Sequence, residues 1–192
     1  MTKEIVASCG NFVCSKDDDI DKFFHEEFED YSCQLLGKSY CFYTKQDHRM
    51  VAAFTVANSS IRVDNMPKTK RNKLNRKIPF SKQRSQYPAV LVGQLVVFDG
   101  FNGYSLGNDV LNFIKAWFID PLNKTGCRYV IVDAINNEKV LQFYKDNGFD
   151  FIFASDEEEM KYLSNAENVA DDDAFRKTRL MYFDLMLLST TK

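Results

Sequence analysis

The stretch with the clearest chemical potential joins an apolar run to a loop of small residues and then to a helical pattern. The run Ala89–Phe98 has the composition of a buried strand. The loop after it contains four small residues, Gly100, Gly103, Ser105 and Gly107. From Asn108 onward, apolar residues recur at helical spacing. Such a loop presents backbone N–H groups, and the helix adds the positive end of its dipole, so the sequence predicts a turn that binds a phosphate group.

The segments around this loop predict a mixed α/β fold. Two runs rich in aromatic and β-branched residues, Ser39–Thr44 and Met50–Ala57, are separated by a polar turn and predict an antiparallel pair. The helix after the loop ends near Pro121, and Tyr129–Ile135 has the composition of a second buried strand. Because strand–helix–strand connections are right-handed, these segments predict a parallel βαβ unit.

Shorter segments complete the predicted order. Residues 1–16 are assigned a first strand, although their alternation is poor, and Asp17, Asp18 and Asp19 are expected to cap a helix rather than bind a metal. Asn136 or Asn137 is expected to cap a helix that ends at Gly148. The segments Phe149–Phe153 and Arg179–Leu188 are predicted to be strands that pair near each other, and a short helix is considered around Arg71–Arg76.

Composition excludes several classes of protein. The chain has 192 residues, 45% of them apolar, and a net charge of −2, which predicts one domain over residues 1–192 without an overall attraction to nucleic acid. Basic residues concentrate in segment 66–85 and acidic residues in segment 156–173, both predicted as surface insertions. Five cysteines without a CxxC pair and only two histidines predict neither disulfides nor a metal site. No signal peptide and no apolar run of about 20 residues are present, so we expect a reduced, cytoplasmic protein with no membrane partner.

Two motifs, in order and about 40 residues apart, resemble the GNAT family, whose members transfer an acetyl group from acetyl-CoA to an amine. The first, Gln/Arg-x-x-Gly-x-Gly/Ala between a strand and a helix, falls on residues 102–107. The second, Asn-x-x-Ala-x-x-Phe-Tyr followed by Gly-Phe, falls on residues 137–149. Segments 12–24 and 87–93 are similar to the toxin-type branch, which acetylates the amino group of aminoacyl-tRNA. The resemblance implies the GNAT fold, a central, mostly antiparallel mixed sheet with a splayed parallel strand pair and flanking helices.

The resemblance also implies roles for individual residues. The backbone of Leu95, Val96 and Val97 would hold the pantetheine arm of acetyl-CoA as an added strand. The pyrophosphate would be bound by the loop and the start of the helix, through Asn102, Gly103, Tyr104, Ser105, Leu106, Gly107 and Asn108. Asn137 would contact the cofactor or serve only as a helix cap. Tyr144 would be the catalytic acid, since a phenol with a pKa near 10 roughly matches a thiolate near 8.5 to 10.

The sequence departs from the first motif at two positions. Asn102 replaces the usual Gln or Arg, and Ser105 replaces a glycine, although serine is disfavoured at positive φ. These departures keep a second interpretation open, a non-catalytic or weakly active acyl-CoA-binding module. On residue type alone Tyr144 is a core aromatic residue. The general base also stays open, between Asp133 and a chain of water molecules.

The acceptor and partners are the least defined part of the prediction. An aminoacyl-tRNA amine is favoured over a small amine or a protein amine. The basic run Lys68–Arg84, which contains eight basic residues and no acidic one, would contact the RNA backbone or simply be solvated. A small antitoxin protein and a second copy of the chain are the other predicted partners.

Overall fold

From the second strand onward, strands and helices alternate among the described elements. The computed structural model describes residues 1–64, 66–75, 78–81, 84–166 and 177–189, with backbone only for 163–166. Its strands are β1 (Lys38–Tyr43), β2 (Met50–Arg62), β3 (Gln86–Val97), β4 (Tyr129–Ile135), β5 (Asp150–Phe151) and β6 (Thr178–Asp184). Its helices are α1 (Lys3–Ser8), α2 (Asp18–Lys22), α3 (Phe28–Cys33), α4 (Lys68–Asn75), α5 (Leu106–Ile119), α6 (Glu138–Asp146), α7 (Asp156–Ala166) and α8 (Met186–Ser189). A π-helical turn, Phe23–Glu27, joins α2 to α3.

The strands form one six-stranded sheet in the order β1-β2-β3-β4-β6-β5. Strand β1 pairs antiparallel with β2, and β6 pairs antiparallel with both β4 and β5. Strands β3 and β4 are parallel and joined by α5, as the sequence predicts for a βαβ unit. The predicted mixed and mostly antiparallel sheet is therefore confirmed, as is the pairing of the last strand beside the one before it.

Residue contacts divide the chain into two compact units. Unit 1 comprises Met1–Asn58 and Val92–Trp117, and unit 2 comprises Ser59–Leu91 and Phe118–Lys192. The core of unit 1 contains Phe12, Phe24, Phe28, Met50 and Phe98. The core of unit 2 contains Tyr87, Tyr129, Ile131, Phe153 and Tyr182. A single domain over residues 1–192 stays a prediction.

The predicted strand within residues 1–16 is wrong, because α1 occupies Lys3–Ser8. The Thr2 hydroxyl caps this helix by accepting a hydrogen bond from the Ile5 N–H at 3.4 Å. Ile5, Val6 and Cys9 follow helical rather than alternating spacing and pack on the core of unit 1. The capping role predicted for the aspartates is confirmed, since the Asp17 carboxylate accepts from the Ile20 N–H at 3.0 Å at the start of α2.

Three predicted boundaries in unit 2 need correction. The strand predicted at Phe149–Phe153 is only two residues long, Asp150–Phe151. The last strand ends at Asp184 rather than Leu188, because the Asp184 carboxylate accepts a hydrogen bond from the Met186 N–H at 3.0 Å and starts α8. The helix considered around Arg71–Arg76 is α4, with Arg76 outside the described residues.

The basic and acidic segments both contribute side chains to unit 2. Leu74 of α4 is buried in the core, and Tyr162 of α7 packs against it. Glu159 of α7 is also buried and accepts hydrogen bonds from Arg179 Nε at 2.9 Å and the Leu180 N–H at 2.7 Å. Within the described residues, helix α7 is therefore attached to β6 by a buried ion pair. The rest of the acidic segment, residues 167–173, lies outside the described residues.

Candidate functional site

The predicted phosphate-binding loop lies in unit 1, between the end of β3 and the start of α5. Gly100, Gly103 and Ser105 have positive φ angles of 86°, 89° and 56°. Alternation of left-handed residues with ordinary ones points neighbouring N–H groups into one concave surface, which is the geometry of an anion-binding nest. A Cβ atom on Gly103 would meet nothing within 4 Å, so this surface is open. Ser105 adopts the conformation that the glycine of the motif would supply.

The start of α5 determines which N–H groups an anion could use. The N–H of Asn108 donates to the Ser105 carbonyl at 2.9 Å, so this amide already belongs to the first turn of the helix. Helix geometry leaves the first N–H groups of a helix without an intrahelical acceptor. In α5 these are the amides of Leu106 and Gly107, which point out of the helix end beside the loop. The loop and the helix end together offer partial positive charge on one side.

Hydrogen bonds to the N-terminal segment hold the loop in place. The Phe98 N–H donates to the Val51 carbonyl at 3.0 Å, and the Asp99 N–H donates to the Val13 carbonyl at 2.9 Å. The Asp99 carboxylate accepts from the Ser15 N–H at 3.2 Å, and hydrogen bonding by the Ser15 hydroxyl and N–H lowers the pKa of Asp99. The loop therefore rests on Val51 of β2 and on Val13 and Ser15 before α2, which all belong to unit 1.

Two cationic side chains that the sequence analysis did not single out flank this loop. Lys16 Nζ donates to Asn102 Oδ1 at 3.1 Å, and Asn102 Nδ2 donates to Asp99 Oδ1 at 3.3 Å. The Arg49 guanidinium lies over the Phe101 ring, 4.7 Å from its centroid. Lys16 and Asn102 are 86 positions apart in the sequence, so no local pattern could have related them. The predicted site residue Asn102 thus brings a positive charge to the loop.

The segment predicted to hold the pantetheine arm is the end of β3. Val96 is buried there, while Leu95 and Val97 are half-buried. Just before them the Gln94 N–H donates to the Thr55 hydroxyl at 2.9 Å. A Cβ atom at position 93 would lie only 2.7 Å from that hydroxyl, which explains why glycine occurs there. A side chain of β2 thus contacts the β3 backbone directly before the predicted pantetheine segment.

The other two predicted site residues, Asn137 and Tyr144, lie in unit 2, at the start and near the end of α6. The Asn137 side chain caps the helix, because its Oδ1 accepts from the Val140 N–H at 3.0 Å. The helix ends at Gly148, whose φ of 79° allows the Phe149 N–H to reach back to the Tyr144 carbonyl at 3.0 Å. The predicted cap and the predicted glycine terminator are both confirmed.

Tyr144 is a buried phenol whose ring is fixed by aromatic neighbours. Its side chain is 8% exposed, and its ring makes edge contacts with Phe143 and Phe149 at centroid distances of 5.2 and 5.4 Å. Burial raises the pKa of Tyr144 to about 12. Its hydroxyl makes no hydrogen bond to any residue that the structure describes, although buried polar groups usually have a partner. The phenol is therefore a protonated donor at neutral pH.

The basic segment presents a different surface in unit 2. Lys73 of α4 forms an ion pair with Asp150. After α4, Ile78 packs against the core, whereas Phe80 is 76% exposed and has a φ of 57°. Phe80 was not among the predicted site residues. The Pro79-Phe80 pair in a run of basic residues was the available signal.

The described part of the chain offers neither a metal-binding cluster nor a membrane-spanning helix. Among the described residues, no cluster of three or more histidine, cysteine, aspartate or glutamate side chains could hold a metal ion. In the same part of the chain, no helix combines the length and the apolar character needed to cross a bilayer. The residues brought together are therefore the loop and strand end in unit 1, and the two α6 residues in unit 2.

The chain is similar to solved structures but to no known sequence family. No protein-family model and no curated protein sequence matches the chain. Among solved structures, a tyrosine-to-phenylalanine mutant of KacT matches with a TM-score of 0.61 and 16% identity, over 96% of this chain and 91% of that one. AtaT complexed with acetyl-methionyl-tRNAfMet matches with a TM-score of 0.62 and 16% identity, over 93% and 88%. A mutant AtaT toxin bound to acetyl-CoA and the C-terminus of the antitoxin AtaR matches with a TM-score of 0.60 and 14% identity, over 96% and 91%.

These similarities establish the fold. At 14–16% identity they extend over nearly the whole chain and over most of each matched protein. The chain has the GNAT fold, with a parallel strand pair in an otherwise antiparallel sheet and helices on either side. The fold expected from the two sequence motifs is therefore confirmed.

Proposed function

We propose that this protein is an N-acetyltransferase that transfers an acetyl group from acetyl-CoA to a primary amine. The observation that carries the proposal is the loop between β3 and α5, where Gly103 and Ser105 both have positive φ directly before the helix. This loop would fit a pyrophosphate because the space beside Gly103 is open and the first N–H groups of the helix that follows have no intrahelical acceptor. The GNAT fold of the chain and the acetyl-CoA bound in a matched AtaT structure agree with this assignment.

The cofactor is assigned to backbone groups and one cation. The amides of Gly103 to Gly107 would hold the pyrophosphate, and Lys16 would add a full positive charge beside them. The backbone of Leu95–Val97 would pair with the pantetheine arm in the manner of an added strand. Because backbone groups do most of this binding, replacing the usual Gln or Arg by Asn102 removes little from it.

Bound acetyl-CoA supplies the acyl thioester, whose carbonyl carbon accepts the amine nitrogen while its C–S bond breaks. Tyr144 donates its phenol proton to the sulfur that leaves and regains one from solvent. The amine loses its own proton to water or to Asp133. Holding the two reactants together would supply most of the rate, about 7–11 kcal/mol.

The acceptor that we favour is the amino group of an aminoacyl-tRNA. Two observations support this substrate: the basic surface of α4 with the run that follows it, and the acetyl-methionyl-tRNA bound to the matched AtaT. By the same comparison, a small antitoxin protein would be a partner, since a matched AtaT toxin is bound to the C-terminus of AtaR. A second copy of the chain is the remaining proposed partner, and a small amine or a protein amine is the alternative acceptor.

The test is a coenzyme A release assay with charged tRNA, polyamines and peptides as acceptors, together with calorimetric titration of acetyl-CoA. We expect micromolar binding of acetyl-CoA and release of coenzyme A with charged tRNA. Binding without release for every acceptor would favour the acyl-CoA-binding module. Absence of binding at millimolar acetyl-CoA would refute the proposal.

A further inference from the structure

Phe80 is an exposed aromatic residue held in a strained backbone conformation. Its side chain is 76% exposed and its φ is 57°, in the left-handed region that large side chains seldom occupy. Two residues earlier, Ile78 is anchored in the core of unit 2, and its N–H donates to the Asn75 carbonyl at 3.0 Å. The chain therefore turns between these two residues so that one side chain enters the core and the next apolar one faces water.

The sequence around Phe80 is basic and polar rather than apolar. Pro79, Arg84 and Ser85 are exposed, and the run Lys68–Arg84 contains no acidic residue. A protein-binding surface needs a contiguous apolar patch, and one aromatic side chain among polar neighbours does not form one. A nucleic acid base needs only one flat ring to stack on and a basic surface beside it for the phosphates. Phe80 offers the ring, and the run Lys68–Arg84 that contains it offers the basic residues.

We propose that Phe80 is a stacking platform for an unpaired base of a single-stranded RNA end, with the phosphates held by Lys70, Arg71 and Arg84. This inference rests on the proposed function for the identity of the RNA, the unpaired 3′ end that carries the amino acid. Base stacking on an aromatic ring tolerates any sequence, whereas phosphate contacts give affinity without distinguishing paired from unpaired RNA. Phe80 would thus provide the preference for an unpaired end.

The experiment compares two labelled RNA hairpins by fluorescence anisotropy, without acetyl-CoA. One hairpin has a short single-stranded 3′ end, and the other is blunt. We expect the wild-type protein to bind the first more tightly by roughly 5- to 150-fold, the range typical of one base stacked on an aromatic residue. Phe80→Ala should reduce its affinity to that of the blunt hairpin, and Phe80→Trp should keep the preference.

The controls separate stacking from charge and from exposure. Leu35 is matched to Phe80 in strain and exposure, with a φ of 58° and 88% exposure, but lies outside the basic run. Leu35→Ala should leave both affinities unchanged. Charge reversal of Lys70 and Arg71 should weaken the binding of both hairpins equally and make the RNA affinity less dependent on salt concentration. Phe80→Ala should leave that salt dependence unchanged.

Equal wild-type binding of the two hairpins, or an equal loss for both with Phe80→Ala, would overturn the inference. The same protein is also titrated with a labelled acidic peptide. If Phe80→Ala keeps the RNA preference but abolishes binding of that peptide, Phe80 serves a protein partner and the inference is overturned. The outcomes for the proposed function are separate: a protein that prefers the unpaired end but releases no coenzyme A would refute the acetyltransferase assignment alone.

Discussion

Replacing Tyr144 by phenylalanine separates its chemical role from its packing role. The phenylalanine ring preserves the edge contacts with Phe143 and Phe149, and the lost hydroxyl has no hydrogen-bond partner among the described residues. The free energy of unfolding should therefore hardly change, with a shift in Tm within about 1 °C. If the phenol is the catalytic acid, kcat should fall by about 10²–10⁴-fold. That fall corresponds to about 3–5 kcal/mol of transition-state stabilisation.

Tyr129 provides a matched control in the same unit. It is also a buried tyrosine, but its hydroxyl donates to the Leu74 carbonyl at 3.2 Å. Tyr129→Phe should lower the stability by about 1 kcal/mol, or about 2–4 °C in Tm, and leave kcat unchanged. Tyr144→Phe should thus lower kcat without changing Tm, and Tyr129→Phe should lower Tm without changing kcat, in the same coenzyme A release and thermal melting assays. If Tyr144→Phe changes kcat no more than Tyr129→Phe does, or weakens acetyl-CoA binding as much as kcat, the acid assignment is wrong.

The pH dependence gives an independent check on the same residue. Burial raises the pKa of Tyr144 to about 12, so the phenol keeps its proton well above the ordinary value near 10. The rate should therefore show no loss of a catalytic acid near pH 10. The raised pKa also means that stability from the neutral phenol is complete below pH 10 and is lost as the pH rises toward 12. A decline of kcat centred near pH 10 that disappears in Tyr144→Phe would contradict the burial argument.

Three further predictions concern the loop and the buried ion pair. Ser105→Gly should stabilise the protein by about 0.5 kcal/mol in thermal melts. The substitution relieves about 1–2 kcal/mol of left-handed strain, which outweighs the cost of about 0.5–1 kcal/mol from the greater entropy of the unfolded chain. Lower stability would show that the serine hydroxyl stabilises the loop. Lys16→Ala should weaken the binding of acetyl-CoA, measured by calorimetry, roughly 2- to 10-fold. Lys22→Ala, at an exposed position, should leave the affinity unchanged. Equal effects of the two substitutions would show that Lys16 does not contact the cofactor. Glu159→Ala should cost about 3 kcal/mol by leaving a buried guanidinium less compensated, whereas Glu157→Ala, at an exposed position on the same helix, should hardly move the denaturation midpoint. Similar denaturation midpoints for the two variants would refute the buried pair.

The parts of the structure that follow local rules could be predicted from the sequence. Asp17 and Asn137 cap helices because a short polar side chain before an amphipathic pattern satisfies a free N–H group. Gly148 ends α6 because only glycine adopts positive φ without strain. The run Tyr129–Ile135 is a strand with the predicted bounds because most of its residues are apolar and several are β-branched. In each case the cause lies within a few residues of the effect.

The parts that depend on distant contacts could not be predicted. Residues 1–16 contain a helix because Ile5, Val6 and Cys9 find an apolar surface in unit 1, which their own sequence does not reveal. Strand β2 continues to Arg62 because its last residues cover the core of unit 2. The exposure and positive φ of Phe80 follow from the burial of Ile78, and the ion pair of Lys73 with Asp150 joins residues 77 positions apart.

Ser105 shows why a departure from a motif is weak evidence against its function. The preference for glycine reflects a local cost of about 1–2 kcal/mol for a left-handed serine. The loop is held by hydrogen bonds from the N–H groups of Phe98 and Asp99 to distant carbonyls, each worth about 0.5–1.5 kcal/mol, and by the exposed Asp99 carboxylate. The two backbone bonds are of the same size as the cost, so the loop can keep its shape without the glycine. Since a phosphate in such a loop contacts N–H groups, which serine retains, the backbone conformation is a better criterion for the site than the residue type.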